Sequence, residues 1–244
     1  MIYLTICNYN QLEPMRESIK SIENNINGNV SCAIYDNASK DGSRDYLIGQ
    51  DGCNGFDFWC NETNIGKAKA LNWLVDNRFD NIKDDDLIFS LDSDLRLVTE
   101  KFFDKVQSIW DVIGNKVSCI VCKQTGNSLY KRNIAYRHSD TGNFNYFVPE
   151  EGYGHGVAGG ALIVPYKYWK QVGGYNEDNG LYGGNDGNLM LRLFQDTGKP
   201  ICVIEDLRVF HPFEDNKEYQ AWKDTAHQQQ MVHGKCIESK GFFD

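Results

Sequence analysis

Two carboxylates, Asp92 and Asp94, flank Ser93 directly after the apolar run Leu87-Ile88-Phe89-Ser90-Leu91. Burial of that run would fix both acids at a rim, and carboxylates so spaced hold a hard divalent ion, Mg2+ or Mn2+, that in turn binds a diphosphate. The triplet alone is weak, because Asp84-Asp85-Asp86 contains another. Position separates the two: in an open α/β sheet ligands sit outside the carboxyl ends of the strands, and the earlier triplet precedes the apolar run. It therefore reads as a solvated turn. His211 also follows a strand-like run, Leu207-Arg208-Val209-Phe210, and precedes Pro212. A neutral imidazole there suits an ion site made of carboxylates and phosphate oxygens, with a satisfied core or surface histidine as the alternative. His227 and His233 do not share a helix face and carry no joint role.

Further polar clusters stand behind apolar runs: Cys7-Asn8-Tyr9-Asn10, then Asp36-Asn37-Ala38-Ser39-Lys40-Asp41-Gly42-Ser43, then Asn61 to Lys67. Asp36 also suits an Asx-turn. Lys67, behind Gly66, is placed either to neutralise phosphate or to start a helix in solvent, and Asn185 and Asp186 both suit a helix start. The elements that must position these groups alternate in type. Apolar runs Ile2–Cys7, Val30–Tyr35, Phe56–Cys60, Leu87–Leu91 and Val117–Cys122 are separated by helical patterns at Met15–Ile26, Asp45–Ile48, Ala68–Val75 and Phe102–Ile113. Strand-helix alternation predicts a mostly parallel sheet covered on both faces. Pro14 suits a first helical turn. Beyond residue 124 the pattern loosens into an aromatic stretch, Tyr136 to Tyr153, that suits a flexible loop or core. A Gly-rich strand over Gly154–Val164, helices over Tyr166–Val172 and Asn188–Asp196, strands near Ile201–Ile204 and Leu207–Phe210, and a closing helix over Tyr219–His233 complete the order.

The chain has 244 residues, 41% hydrophobic and 13% aromatic, which describes a packed globular protein, with one large α/β domain the simplest division. Its formal charge of −9 repels polyanions at long range and excludes nucleic acid as a general partner, although Lys123, Lys131, Arg132 and Arg137 form a local basic patch. No apolar run approaches the roughly 18 residues of a membrane helix, and the first residues have no signal-peptide pattern, so a cytoplasmic location is expected. The eight cysteines are expected to be free core thiols. Cys119 and Cys122, three apart in a strand, would point to opposite faces, which argues against a zinc or redox pair.

Taken in order, these motifs resemble the inverting family 2 glycosyltransferases and their relatives. Thr5-Ile6-Cys7-Asn8-Tyr9-Asn10, Asp36 to Ser43, Asn64-Ile65-Gly66-Lys67 through Asn72, and Leu91-Asp92-Ser93-Asp94 are similar to that family's opening strand, second-strand segment, following loop and helix, and metal-binding triplet. Gly159-Gly160-Ala161, Trp169 through Gly173-Gly174-Tyr175-Asn176-Glu177, Gly183-Gly184-Asn185-Asp186 and Leu191-Arg192 resemble its acceptor side. The resemblance keeps order and spacing over residues 2–213.

What it implies is a GT-A fold: a Rossmann-like, mostly parallel sheet flanked by helices, with a smaller acceptor-side subregion. Residues 1–244 would form a single domain, with 1–123 binding the nucleotide sugar and 124–244 binding the acceptor and carrying catalysis. The implied activity is metal-dependent transfer of a sugar from a UDP-sugar to an acceptor hydroxyl. Thr5, Asn8, Asn10, Asp36, Asn64, Lys67, Asp92, Ser93 and Gly160 would contact the donor, Asp36 accepting from the uracil N3–H. Asp94, His211 and Asp92 would hold Mn2+ or Mg2+. Asp186 would be the general base, although the family's acidic pair is here Asn185-Asp186, with only the second position preserved. The acceptor stays open among a glycan, a protein, a small molecule and a modified nucleobase. Alternatives are a retaining transferase of the same fold, a sugar-nucleotide-binding module, and a nucleotidyltransferase, which would carry a Gly-rich loop where Asn8-Tyr9-Asn10-Gln11 has no glycine.

Overall fold

The computed structural model describes residues 1–50, 55–126, 136–140, 144–149, 151–153, 157–212 and 217–232, without the side chains of 136–140 and 227–232. Its first half is β1 (Ile2–Asn8), α1 (Leu12–Glu23), β2 (Val30–Asp36), α2 (Ser43–Ile48), β3 (Phe56–Cys60), α3 (Lys67–Asn77), β4 (Leu87–Asp92), β5 (Arg96–Leu97), α4 (Phe102–Ile113) and β6 (Cys119–Gly126). The second half is β7 (Tyr136–Asp140), β8 (Asn145–Pro149), β9 (Ala161–Pro165), α5 (Tyr166–Val172), a 3-10 turn (Glu177–Asn179), α6 (Asn185–Thr197), β10 (Ile201–His211) and α7 (Lys217–Val232).

One sheet runs through both halves in the order β3-β2-β1-β4-β9-β6-β10-β8-β7, with β5 on β10. β3, β2, β1 and β4 are parallel, and β6 and β10 are parallel to each other. β9 lies between the two sets, antiparallel to β4 and to β6, which keeps β6 and β10 running in the direction of β4. The sheet is buried on both faces, which is why its strands read as nearly continuous apolar runs. Period-two alternation sorts those runs between two cores. Ile2, Leu4 and Ile6 join Met15 and Ile19 of α1 and Phe102 and Val106 of α4 on one face. Tyr3, Ala33 and Tyr35 join Leu71 and Leu74 of α3 and Leu189 and Leu193 of α6 on the other. Cys122 belongs to the first core and Cys119 to the second, so that pair does point opposite ways. The described cysteines form no disulfide, and Cys53 and Cys236 lie outside the described residues.

Several expected elements differ in extent. The two short strands expected after residue 200 are one strand, β10, whose register with β6 shifts between Ile204 and Arg208. The Gly-rich strand begins only at Ala161, because Gly159 and Gly160 instead pass against the side chains of Asp186 and Asp92. The aromatic stretch is not simply a loop: β7 and β8 pair as antiparallel strands, Phe144 is buried, and Tyr146 and Phe147 pack on the two cores. Lys131, Arg132 and His233 lie outside the described residues, as do the side chains of Arg137 and His227. No helix among the described residues is long and apolar enough to cross a membrane.

Candidate active site

The parallel register aligns the strand ends: Asn8 stands beside Asp36, Asp36 beside Cys60, and Cys7 beside Asp92. At that edge opens a cleft of about 640 Å3. Asn64, Lys67, Asp92, Ser93, Asp94 and Gly160 line it, and so do Asp186 from the first turn of α6 and His211 from the end of β10. The chemistry-bearing residues, far apart in sequence, thus share one cavity. Asp84, Asp85 and Asp86 are elsewhere: Asp84 and Asp85 pair with Lys170 and Lys167, and Asp86 with the chain's amino terminus.

Lys67, the first residue of α3, is the hub. Gly66 before it has φ +89°, and an added Cβ would meet Gly180 O at 2.6 Å, so glycine is required where the chain turns into the helix. Lys67 Nζ lies 2.6 Å from Asp92 Oδ1, and 3.0 and 3.1 Å from Asp186 Oδ1 and Oδ2. Burial lowers the affinity of this amine for its proton, but Asp186 and Asp92 outweigh it and hold the pKa well above the ordinary lysine value. Burial raises the Asp92 carboxyl, with Lys67 opposing and Asp186 and Asp94 adding to the rise. The backbone approaches closely here: a Cβ on Gly160 would fall 2.6 Å from Asp92 Oδ2. Asp186 was open to reading as a helix cap, but Gly184 holds the cap position, α6 starts at Asn185, and no side chain caps it.

Asp94 and His211 face each other, with His211 Nε2 3.5 Å from Asp94 Oδ2. Burial raises the Asp94 carboxyl, yet the hydrogen bond and charge of His211 leave it below the ordinary value; burial lowers His211, yet Asp94 leaves it above. Asp94 Oδ1 is buried with no hydrogen-bond partner among the described residues. A carboxylate oxygen so placed fits a hard cation, and the neighbouring imidazole fits as its second protein ligand. Asp92, the third expected ligand, lines the same cleft with its Oδ1 on Lys67. Among the described residues no three acidic, histidine or cysteine side chains converge as a metal cage.

Four other residues expected to contact the donor are hydrogen-bonded within the fold. Thr5 is fully buried and donates to Phe89 O at 3.3 Å. Asn8 donates to Ser39 Oγ at 3.2 Å, and Asn10 accepts from the Lys40 amide at 2.7 Å. Asp36 is fully buried, accepts from the Ser39 amide at 3.0 Å in an Asx-type turn, and keeps Oδ1 without a partner. Burial raises its carboxyl. Asn8, Asn10 and Asp36 thus brace the loop after β2, and Thr5 ties β1 to β4.

Sequence reasoning missed several wall residues. Asn37 holds Asn64, donating to its Oδ1 at 2.8 Å while accepting from the Ile65 amide at 2.8 Å. Among the described residues the aromatics on the cleft are Tyr9, Tyr182, Tyr219 and Trp222. Trp222 of α7 packs 4.6 Å from Tyr9, 5.6 Å from Tyr219 and 5.8 Å from Tyr182, centroid to centroid, with Lys223 over the Tyr219 ring at 4.3 Å. A closing helix was foreseen, but the sequence held no sign of the wall it would meet.

Across 88% of its length the chain superposes on a structure of GalNAc-T7 with UDP, GalNAc and Mn2+, at a TM-score of 0.69 and 11% identity, covering 44% of that chain. A mannosyltransferase, PcManGT from Pyrobaculum calidifontis, with GDP-Man and Mn2+, matches 95% of it at a TM-score of 0.67 and 14% identity, with 64% of that chain covered. The chain has the GT-A fold. A third GT-A structure, residues 1–349 of S. aureus TarS in complex with UDP-GlcNAc, matches 90% of the chain at a TM-score of 0.64 and 13% identity, covering 60% of that chain. The chain thus spans between 44% and 64% of the length of these GT-A proteins. No family model matches the sequence, and no curated protein matches it significantly.

Proposed function

We propose that residues 1–244 form one catalytic unit that transfers a sugar from a nucleoside-diphosphate sugar, a UDP-sugar, to an acceptor hydroxyl with inversion at the anomeric carbon. The observation that carries this reading is the convergence of Asp94, His211, Lys67 and Asp186 on a single cleft at the strand carboxyl ends. The fold shared with structures that contain UDP, GalNAc and Mn2+, UDP-GlcNAc, or GDP-Man and Mn2+ supports it. Asp94 and His211 would hold Mn2+ or Mg2+, which when bound supplies Lewis-acid neutralisation of the diphosphate.

The remaining work falls to the protein's own groups. Lys67 brings a fixed positive charge to the same cavity and stabilises negative charge as it collects on the leaving diphosphate. The acceptor oxygen forms its bond to the anomeric carbon as the bond to diphosphate breaks, and the electron pair leaves with the diphosphate. Asp186 takes the hydroxyl proton, which only a base within hydrogen-bond reach can accept. α7, packed across the cleft through Trp222, limits access of water to the reacting centre.

A screen of UDP-sugars and GDP-mannose for hydrolysis, with Mn2+, Mg2+ or EDTA, tests the assignment. Release of nucleoside diphosphate from one donor, abolished by EDTA, is expected, and NMR of the first-formed sugar should show the inverted anomer. Absence of turnover with every donor would leave the chain a binding protein.

A further inference from the structure

Tyr175 is 1% exposed and does not line the cleft. One side chain clamps its backbone on both sides: Asn72 Oδ1 accepts from the Tyr175 amide at 2.9 Å, and Asn72 Nδ2 donates to the Tyr175 carbonyl at 2.9 Å. Its ring stands edge-on to Trp169, with centroids 5.4 Å apart. From this anchored position the hydroxyl oxygen lies 3.0 Å from Asp186 Oδ1 and 2.9 Å from Ser90 Oγ.

A phenol has a single proton, and an ionised carboxylate only accepts. The Tyr175 proton therefore goes to Asp186, and the Ser90 hydroxyl donates to the Tyr175 oxygen. That fixes the direction of the chain as Ser90 to Tyr175 to Asp186, each bond polarising the next. Without such a partner the carboxylate of an aspartate turns over a broad torsional range.

We infer that Tyr175 is a positioning residue for the base: it fixes the carboxylate plane of Asp186 and leaves Oδ2 to receive the acceptor proton. Oδ1 is engaged by Tyr175 and by Lys67, whereas among the described residues Oδ2 is bonded by Lys67 alone. Ser90 lies on β4 just before Asp92, so the strand that carries the acidic triplet also sets the orientation of the base. The inference rests on the assignment of Asp186 as general base.

Tyr175→Phe keeps the ring and the backbone clamp and removes the hydroxyl; Ser90→Ala removes the upstream donor. The assay measures kcat and KM for hydrolysis of UDP-glucose, UDP-N-acetylglucosamine and GDP-mannose with Mn2+, together with calorimetric affinity for UDP and the melting temperature. For Tyr175→Phe, kcat should fall roughly tenfold to a hundredfold, the loss of a hydrogen bond to a charged group, while KM and UDP affinity stay within about twofold. Ser90→Ala should lower kcat by a smaller factor, roughly twofold to tenfold. In the Asp186→Asn background Tyr175→Phe should cause no further loss, since the group it positions is gone. The inference is overturned by a folded Tyr175→Phe protein with parental kcat, by equal losses of kcat and UDP affinity, or by an undiminished effect beside Asp186→Asn. If Tyr175→Phe does not fold, parental kcat in Ser90→Ala overturns it. A parent protein that turns over none of the donors refutes the transferase reading itself, and an active parent with an indifferent Tyr175→Phe refutes the positioning role alone.

Discussion

Lys67 joins Asp92 to Asp186, and its side chain is only 18% exposed, so its charge is a structural as well as a chemical component of the cleft. Lys67→Met would leave two acids facing each other with no cation between them. Removing one member of a buried ionic cluster costs about 3 kcal/mol or more, so the urea midpoint should fall sharply and donor turnover should be lost. An unchanged midpoint would mean that Lys67 is a solvated helix-start residue, as its place in the sequence also allowed. The Asp94–His211 pair makes a pH prediction for the metal-free protein. His211, which burial lowers and Asp94 more than restores, has a folded pKa above 6.5; its contribution is complete below 6.5 and is lost as pH rises through the folded value. Asp94, which burial raises and His211 more than offsets, has a folded pKa below 3.8; its contribution is present above 3.8 and is lost as pH falls through the folded value. Both shifts describe one interaction, which is fully formed between 3.8 and 6.5. The melting-temperature difference between parent and His211→Ala should be largest in that window and shrink toward alkaline pH; a difference constant from about pH 5 to pH 9 would contradict the pairing.

At the scale of elements, α7 lines one side of the cleft through an aromatic latch that joins Trp222 to Tyr9, Tyr182 and Tyr219. Trp222→Ala should free the helix without unfolding the sheet, because neither core cluster contains Trp222. Hydrogen exchange should quicken along residues 217–226 and KM for the donor should rise, while β1 and β4 stay protected. Exchange that quickens equally throughout would show that the helix is integral to the core. The latch illustrates what sequence can and cannot convey. The position of acids behind apolar runs made Asp92 and Asp94 legible, because strand ends in a buried sheet are fixed by local pattern, and the family resemblance singled out His211. Asp36 and Asn8 also stand at strand ends, where both hydrogen-bond Ser39 of the loop after β2, and only side-chain direction separates such a brace from a cleft wall. The hydroxyl of Tyr175 reaching Asp186 is a tertiary contact with no local signature.

For the whole molecule, the alternation of runs up to residue 123 carried the parallel half of the sheet, and the order of motifs carried the GT-A architecture. The antiparallel insertion of β9 was not legible: a five-residue apolar run has the same appearance in either direction, and its pairing is decided by the chain returning beside Asp92, whose amide donates to Gly160 O at 2.8 Å. The two halves meet along β9 and β10, and the first half's acidic triplet shares its cleft with Asp186 and His211 of the second. Titration calorimetry of UDP with and without Mn2+ on the parent, Asp94→Asn and Asp186→Asn proteins tests this union most directly. Mn2+ should tighten UDP binding at least about tenfold in the parent and in Asp186→Asn, and leave it unchanged in Asp94→Asn. Equal UDP affinity with and without Mn2+ in the parent, or a full Mn2+ effect in Asp94→Asn, would contradict a metal-assisted nucleotide-sugar site in this cleft.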